Sequence, residues 1–196
     1  MPPLILASTS TYRQGLLRKL GIPFRSLAPQ TDETPLPGEN AHQLVMRLAQ
    51  AKAHAVAQSL DQGWVIGSDQ VCVIDEQILG KPGSHERAVE QLRRLSGHAI
   101  TFYTGLCLWD VASQERQVIV EPFVVHFREL NDAQINSYLQ QERPYDCAGS
   151  FKSETLGVCL FEQFEGRDPN TLVGLPLMAL TDMFQTWGVS LPLERC

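Results

Sequence analysis

The chain has 196 residues, 43% of them hydrophobic and 19% charged, with a formal net charge of −6 and a pI of about 5.3. That is enough chain for one substantial core, or for two small lobes around a cleft, with the composition of a soluble globular enzyme. The acidic balance argues against a duplex nucleic-acid binder, which presents a broad basic surface; a few lysines and arginines converging on one cleft still suffice for a phosphate-bearing small molecule.

In chain order, Leu4-Ile5-Leu6-Ala7 predicts a buried strand. Ser8-Thr9-Ser10 follows with hydroxyls suited to capping a helix, whose apolar positions are Leu16, Leu17 and Leu20 and whose stop is Gly21 with Pro23. Strand, hydroxyl-rich turn and helix together aim backbone N–H groups at an anion. Pro29, Pro35, Pro37 and Gly38 predict a loop over 27–39, and Leu44, Val45, Leu48, Ala51, Ala55 and Val56 predict a long helix across about 41–58. Trp64 to Asp69 reads as a second buried strand with a polar tip, continued or re-formed by Val71 to Ile74. Gly80-Lys81-Pro82-Gly83 breaks the chain, and Ala88, Val89, Leu92 and Leu95 mark another helix. Ile100 to Trp109 and Val118 to Phe127 predict an antiparallel strand pair. Ile135, Tyr138 and Leu139 predict a short helix, Val158 to Phe164 a strand, and Pro176 opens a closing helix through Trp187.

Cys72, Cys107, Cys147, Cys159 and Cys196 are odd in number, widely spaced and without a C-x-x-C pair. Reduced thiols in a reducing compartment are the simpler reading. No apolar run reaches bilayer-spanning length, and no Lys or Arg precedes the first apolar stretch, unlike a signal peptide. The expectation is a single domain over 1–196, cytoplasmic, with neither a membrane nor duplex nucleic acid as partner.

Four patches carry polar chemistry at turns or strand ends. Ser8 to Arg13 offers hydroxyls and a cation at a helix start; its plain structural reading is a capped helix with a surface arginine. Thr31-Asp32-Glu33-Thr34 offers carboxylates that suit Mg²⁺ or Mn²⁺, or a solvated acidic loop. Lys52 lies within the apolar stripe of its helix, so it either snorkels or meets an anion. Gly67-Ser68-Asp69-Gln70 places an acid at the end of an apolar strand, where α/β sheets hold ligands; a turn-forming Ser-Asp pair is the other reading. Cys147 to Glu154 combines small residues, which let a backbone approach a ligand closely, with a carboxylate that suits a base edge.

Taken together and in this order, these strings resemble the Maf family of nucleotide pyrophosphatases over almost the whole chain. The strings are Leu-Ile-Leu-Ala-Ser8 with Arg13, Asp32-Glu33, Ala-x-x-Lys52-Ala, Gly67-Ser68-Asp69, Gly80-Lys81-Pro82, Thr104-Gly105, Ala148-Gly149-Ser150 and Asn170 to Pro176. The resemblance implies a mixed α/β sheet with flanking helices, in two lobes around a central cleft, similar to the inosine triphosphate pyrophosphatase fold. It also implies a divalent metal, Mg²⁺ or Mn²⁺, held by Glu33 and Asp69, a nucleoside triphosphate substrate, and often a homodimer. Asp69 matches the family's general base, with Glu33, Lys52 and Lys81 completing the catalytic set and Ser8 and Arg13 beside the triphosphate.

Tyr12, Gln70 and Glu154 match the branch associated with 7-methyl-GTP; the branch for dTTP and UTP typically has arginine, threonine and glutamine there. A carboxylate accepts both donors of the guanine Watson–Crick edge, and the cationic methylated ring stacks well on an aromatic face. Tyr12 stands where tryptophan is frequent, a smaller platform that implies a weaker or broader preference. The expected role is to clear modified nucleotides, with a link to cell-division arrest. Two alternatives stay open: a dTTP/UTP pyrophosphatase of the same family, or a nucleotide-binding regulator of septum formation without turnover.

Overall fold

The computed structural model describes residues 1–193; Cys196, read above as a reduced thiol, lies outside them. The elements run β1 (Leu4–Ala7), α1 (Thr11–Arg18), β2 (Phe24–Leu27), α2 (Ala41–Ala57), β3 (Trp64–Ile74), β4 (Gln77–Leu79), α3 (His85–Leu95), β5 (Ala99–Asp110), β6 (Arg116–Phe127), α4 (Asp132–Glu142), β7 (Phe161–Glu165), α5 (Asn170–Val173) and α6 (Leu177–Thr186). Seven strands form one mixed sheet in the order β2-β1-β3-β5-β6-β7, with β4 on β3. β1 is parallel to β2 and to β3, whereas β4 and β7 are antiparallel to β3 and β6. No helix among the described residues is long and apolar enough to cross a membrane.

Two compact units divide the described residues: 1–70, 104–121 and those from 168 onward in one, 71–103 and 122–167 in the other. In the first unit the pleat explains the all-apolar β1. Leu4 and Leu6 join Leu16, Leu17, Trp64, Ile66, Leu180 and Phe184 in one core. Ile5 and Ala7, pointing the other way, join Ala49, Ala53, Val56, Val65 and Cys107 in a second. A strand covered on both faces has no polar side to show. Gly67 and Gly105 let α2 lie unusually close to the sheet. A Cβ at Gly67 would stand 2.1 Å from the Ala49 carbonyl oxygen, and one at Gly105 2.1 Å from that of Val45.

The second unit is built around aromatic rings. Phe151 packs edge-on against Phe102, Phe127 and Phe161, with ring centroids 5.5, 5.5 and 4.7 Å apart. α3 buries Ala88, Val89, Leu92 and Leu95, and α4 buries Ile135, Tyr138 and Leu139.

Three short elements escape the sequence reading. β2 takes Phe24–Leu27, so the loop begins after Leu27 rather than at it; an edge strand with no fully buried residue gives no apolar run. β4 is three residues with two exposed, and α5 is a single turn. The strand expected over Val158 to Phe164 starts at Phe161. Leu156–Leu160 is instead a 3₁₀ turn, where Gly157 lies so close to the Lys152 carbonyl that a Cβ would fall 2.1 Å from its oxygen. Among the described residues Cys72, Cys107, Cys147 and Cys159 form no disulfide, and burial pushes both the Cys72 and Cys107 thiols up to about 12.

Candidate active site

Strand alternation sorts the Gly67-Ser68-Asp69-Gln70 string. Side chains two apart share a face, so Gly67 and Asp69 turn toward α2 while Ser68 and Gln70 turn away. On the α2 side the close approach at Gly67 brings Lys52, one turn beyond Ala49, onto the Asp69 carboxylate. The Lys52 Nζ–Asp69 Oδ1 distance is 2.6 Å, and both residues are buried, at 6% and 7% exposure. A second carboxylate, Glu33 Oε1, lies 2.8 Å from the same ammonium. Of the two outcomes open to a lysine in an apolar stripe, Lys52 takes the anion.

The acidic pair in the loop divides. Asp32 turns inward on its own loop, accepting the Thr34 N–H at 2.9 Å, and that hydrogen bonding lowers its pKa. Glu33 alone reaches Lys52. The loop is tied to α2 by Arg47, which grips Glu39 with two nitrogens at 2.6 and 2.8 Å and donates to the Thr34 carbonyl at 3.1 Å.

Arg13 completes the set. Ser10 caps α1, its Oγ accepting the Arg13 N–H at 3.3 Å, and Ser8 Oγ accepts the Ser10 N–H at 3.1 Å. The Arg13 Nε donates to the Gly174 carbonyl at 2.9 Å, which fixes the direction of the guanidinium and leaves its two terminal nitrogens for an anion. Burial pulls the Arg13 pKa below its ordinary value, while Asp69 and Glu33 oppose that shift. Burial likewise raises the Asp69 carboxyl, against the pull of Lys52 and Arg13. Desolvation wins for Asp69 although two cations attend it.

On the other face of β3, Ser68 Oγ donates to the same Gly174 carbonyl at 2.9 Å. The Gln70 amide nitrogen donates toward the Thr171 carbonyl at 2.7 Å, Thr104 Oγ1 at 2.9 Å and the Leu172 carbonyl at 3.3 Å. With its hydrogens spent there, Gln70 has its Oε1, an acceptor, to offer a ligand. The 170–176 string is therefore a scaffold: Gly174, at φ 108°, turns one carbonyl to both Arg13 and Ser68. Buried Asp168 pins that scaffold by accepting Asn170 N at 2.8 Å, Asn170 Nδ2 at 2.7 Å and Met178 N at 2.8 Å. Ser68, Thr104, Asp168 and Gly174 have no role assigned from the sequence; Ser68, Thr104 and Gly174 lie in strings that carry the resemblance, and Asp168-Pro-Asn170 carries a helix-start signal.

Ser8, Tyr12, Arg13, Glu33, Lys52, Asp69 and Gln70 all belong to the first unit, and Lys81 and Glu154 to the second. Tyr12 is partly buried in the first turn of α1, and Lys81 and Glu154 are exposed. Glu154 accepts a hydrogen bond from Ser153 Oγ at 3.4 Å. The described residues hold no group of three or more His, Cys, Asp or Glu side chains able to hold a metal. Glu33 and Asp69 alone make a hard, two-carboxylate donor set of the sort that suits Mg²⁺ or Mn²⁺ when water and phosphate supply the remaining ligands.

The fold and this cluster define a mixed α/β protein with two carboxylates and two cations gathered at a sheet–helix junction. The chain belongs to the Maf-like protein family, whose profile matches residues 3–187. Among solved structures it is similar to the Ham1 protein of Staphylococcus aureus, with 15% identity over 65% of this chain and 72% of that one at a TM-score of 0.45. It is similar also to a HAM1 protein from Coxiella burnetii, with 15% identity over 65% and 73% at a TM-score of 0.44. These two likenesses are too distant to add to the family match.

Proposed function

We propose that this chain is a metal-dependent nucleoside triphosphate pyrophosphatase, acting on 7-methyl-GTP to give 7-methyl-GMP and diphosphate. The observation that supports it most is the Lys52–Asp69 pair at 2.6 Å with Glu33 at 2.8 Å from the same ammonium. A pure binder of triphosphate gains nothing from two carboxylates set beside its cations, whereas hydrolysis needs a base there.

In this mechanism Asp69 has one oxygen committed to Lys52, and its other oxygen accepts the proton of the attacking water. Its raised pKa brings it nearer the operating pH, where a general base works best. Water attacks the α-phosphorus, the bond to the bridging oxygen of the β-phosphate breaks, and diphosphate leaves. Arg13, Lys52 and Lys81 spread the charge that develops on it, and Ser8 hydrogen-bonds the phosphates. Mg²⁺ or Mn²⁺ held by Glu33 and Asp69 would add Lewis-acid neutralisation of the phosphate oxygens.

Base choice falls to Tyr12, Gln70 and Glu154. The Glu154 carboxylate accepts N1–H and N2–H of guanine, Gln70 presents its Oε1, and Tyr12 stacks on the ring. The role that follows is removal of a modified nucleotide from the cytoplasmic pool, by a chain that works as a homodimer. The test is diphosphate release from 7-methyl-GTP, GTP, dTTP, UTP and CTP with Mn²⁺ or Mg²⁺, in wild type and Glu154→Ala. The expected result is preference for 7-methyl-GTP, with the variant losing about tenfold to a hundredfold on guanine nucleotides only, the worth of a charged hydrogen bond. Equal losses on all five would remove Glu154 from base selection. Preference for dTTP or UTP would replace the substrate but keep the chemistry, and binding without release would leave the regulator.

A further inference from the structure

The loop carrying Lys81 and the segment leading to Glu154 are far apart in sequence, and both reach the same side chain. Gln91, on the half-buried side of α3, donates its Nε2 to the Gly80 carbonyl at 3.0 Å. Its Oε1 accepts the hydroxyl of Ser150 at 2.5 Å. One amide thus spends its donor on the residue before Lys81 and its acceptor on the turn that precedes Glu154.

Both ends of that bridge are places where the backbone alone is poorly determined. Gly149 and Ser150 follow one another at φ 78° and 62°. A serine in the left-handed region costs about 1–2 kcal/mol, and such strain persists where the surroundings over-determine it. Ser150 is fully buried, and the phenyl ring of Phe151 after it is locked among Phe102, Phe127 and Phe161. Its hydroxyl bond to Gln91 supplies a further restraint. The Lys81 loop is glycine at both ends, Gly80 and Gly83, and is otherwise tied by the Gly83 N–H to the Tyr145 carbonyl at 3.0 Å. The Tyr145 hydroxyl lies 2.9 Å from His85 Nδ1 on α3. Lys81 itself is exposed, so its position is set by that backbone.

We infer that Gln91 is a positioning residue: through its two hydrogen bonds it fixes the Lys81 loop and the Ser150–Glu154 segment to one helix, so that the cation for the leaving diphosphate and the carboxylate for the base keep one spacing. This rests on the pyrophosphatase reading for what Lys81 and Glu154 do; the holding of the loops stands apart from it.

The amide's two ends can be separated chemically. Gln91→Glu keeps an acceptor for Ser150 but has no hydrogen for Gly80, whereas Gln91→Met, close in shape, removes both. The experiment measures kcat and KM for diphosphate release by wild type, Gln91→Glu and Gln91→Met, each also in a Lys81→Ala background, with amide exchange at Lys81 and Gly83. Gln91→Glu is expected to lower kcat about tenfold while KM changes less than about threefold, because an interaction made only in the transition state is weakened. The loss should vanish in the Lys81→Ala background, since two residues acting as one unit are not additive. Exchange at Lys81 and Gly83 should rise in both variants. Losses that add fully to those of Lys81→Ala, or exchange that stays at the wild-type rate, would overturn the inference. A wild type that releases no diphosphate would end the pyrophosphatase reading, and faster loop exchange in the variants would then still uphold Gln91 as the residue that holds the loop.

Discussion

Lys52 and Lys81, which the proposed mechanism sets to one phosphate chain, are held in opposite ways. Lys52 is buried on α2, with Asp69 at 2.6 Å and Glu33 at 2.8 Å. Lys81 is exposed on a loop whose backbone, rather than its ammonium, is tied down by Gln91 and Tyr145. The reason is solvation. A lysine taken out of water must be paired, because the lone buried charge costs several kcal/mol, so Lys52 comes with its carboxylates and the three arrive preorganised. A lysine left in water keeps its charge unaided and gives up about 2 kcal/mol of rotamer entropy only when a ligand fixes it. In the first unit the charged groups hold one another; in the second, uncharged hydrogen bonds hold the chain that presents them.

The largest expected effect is at Asp69. Asp69→Asn keeps the shape and loses the base, so turnover should fall about 10²- to 10⁴-fold, the worth of general-base catalysis, while nucleotide binding by calorimetry changes little. Near-normal turnover would reject Asp69 as the base. The two lysines then separate the modes of holding. Lys52→Met takes the nearest cation from buried Asp69 and leaves Arg13 to oppose its desolvation beside Glu33, and breaking a buried pair costs about 3 kcal/mol, some 6–12 °C in Tm for a chain of this size. Asp69, already raised by burial, takes up a proton more readily there and softens that loss. Lys81→Met, at an exposed site, should shift Tm by less than about 2 °C and yet lower turnover as well. Equal Tm shifts would erase the distinction between the two lysines.

The legible parts of the site are those that break a local pattern. Lys52 stood out as a polar residue at an apolar helical position, and Asp69 as an acid ending an apolar run. β1, α2, β3, α3 and β5 were legible because each buries one or two faces, and β6 because Phe123, Val125 and Phe127 alternate inward at its end, so the period survives in the sequence. β2 and β4 were not, since short edge strands bury too little to leave a pattern. Asp32 and Glu33 could not be told apart either; which one reaches Lys52 depends on the Asp32–Thr34 turn and on the Arg47 contacts that hold the loop, none of which leaves a periodicity. Gln91 reads as an ordinary polar helix position until Gly80 and Ser150, 11 and 59 residues away, are brought to it. Partners of that separation are tertiary facts, and no single window of sequence contains them.

The smallest effect expected lies in how the Glu33 loop is fastened. Arg47 holds the Glu39 carboxyl down at about 2, chiefly by its hydrogen bonds, against a partial opposing push from desolvation. A carboxyl depressed below its ordinary 4.5 binds its proton more weakly in the folded chain than in the unfolded one. Its stabilising share is therefore complete above about pH 4.5 and is lost as pH falls from there toward 2. Asp69 runs with the opposite sign: burial raises it, so its share is complete at low pH and lost as pH rises through its folded value. Glu39→Gln keeps the side-chain length but not the charge, so the Tm gap between wild type and variant should be widest near pH 6 and close as pH drops below 4.5. At pH 7 the variant should lose activity only severalfold, because Glu33 keeps its own bond to Lys52 and loses only the clamp behind it. A Tm gap that stays constant down to pH 3 would mean that the Arg47–Glu39 pair does not fasten this loop in solution, and Glu33 would then owe its place to Lys52 alone.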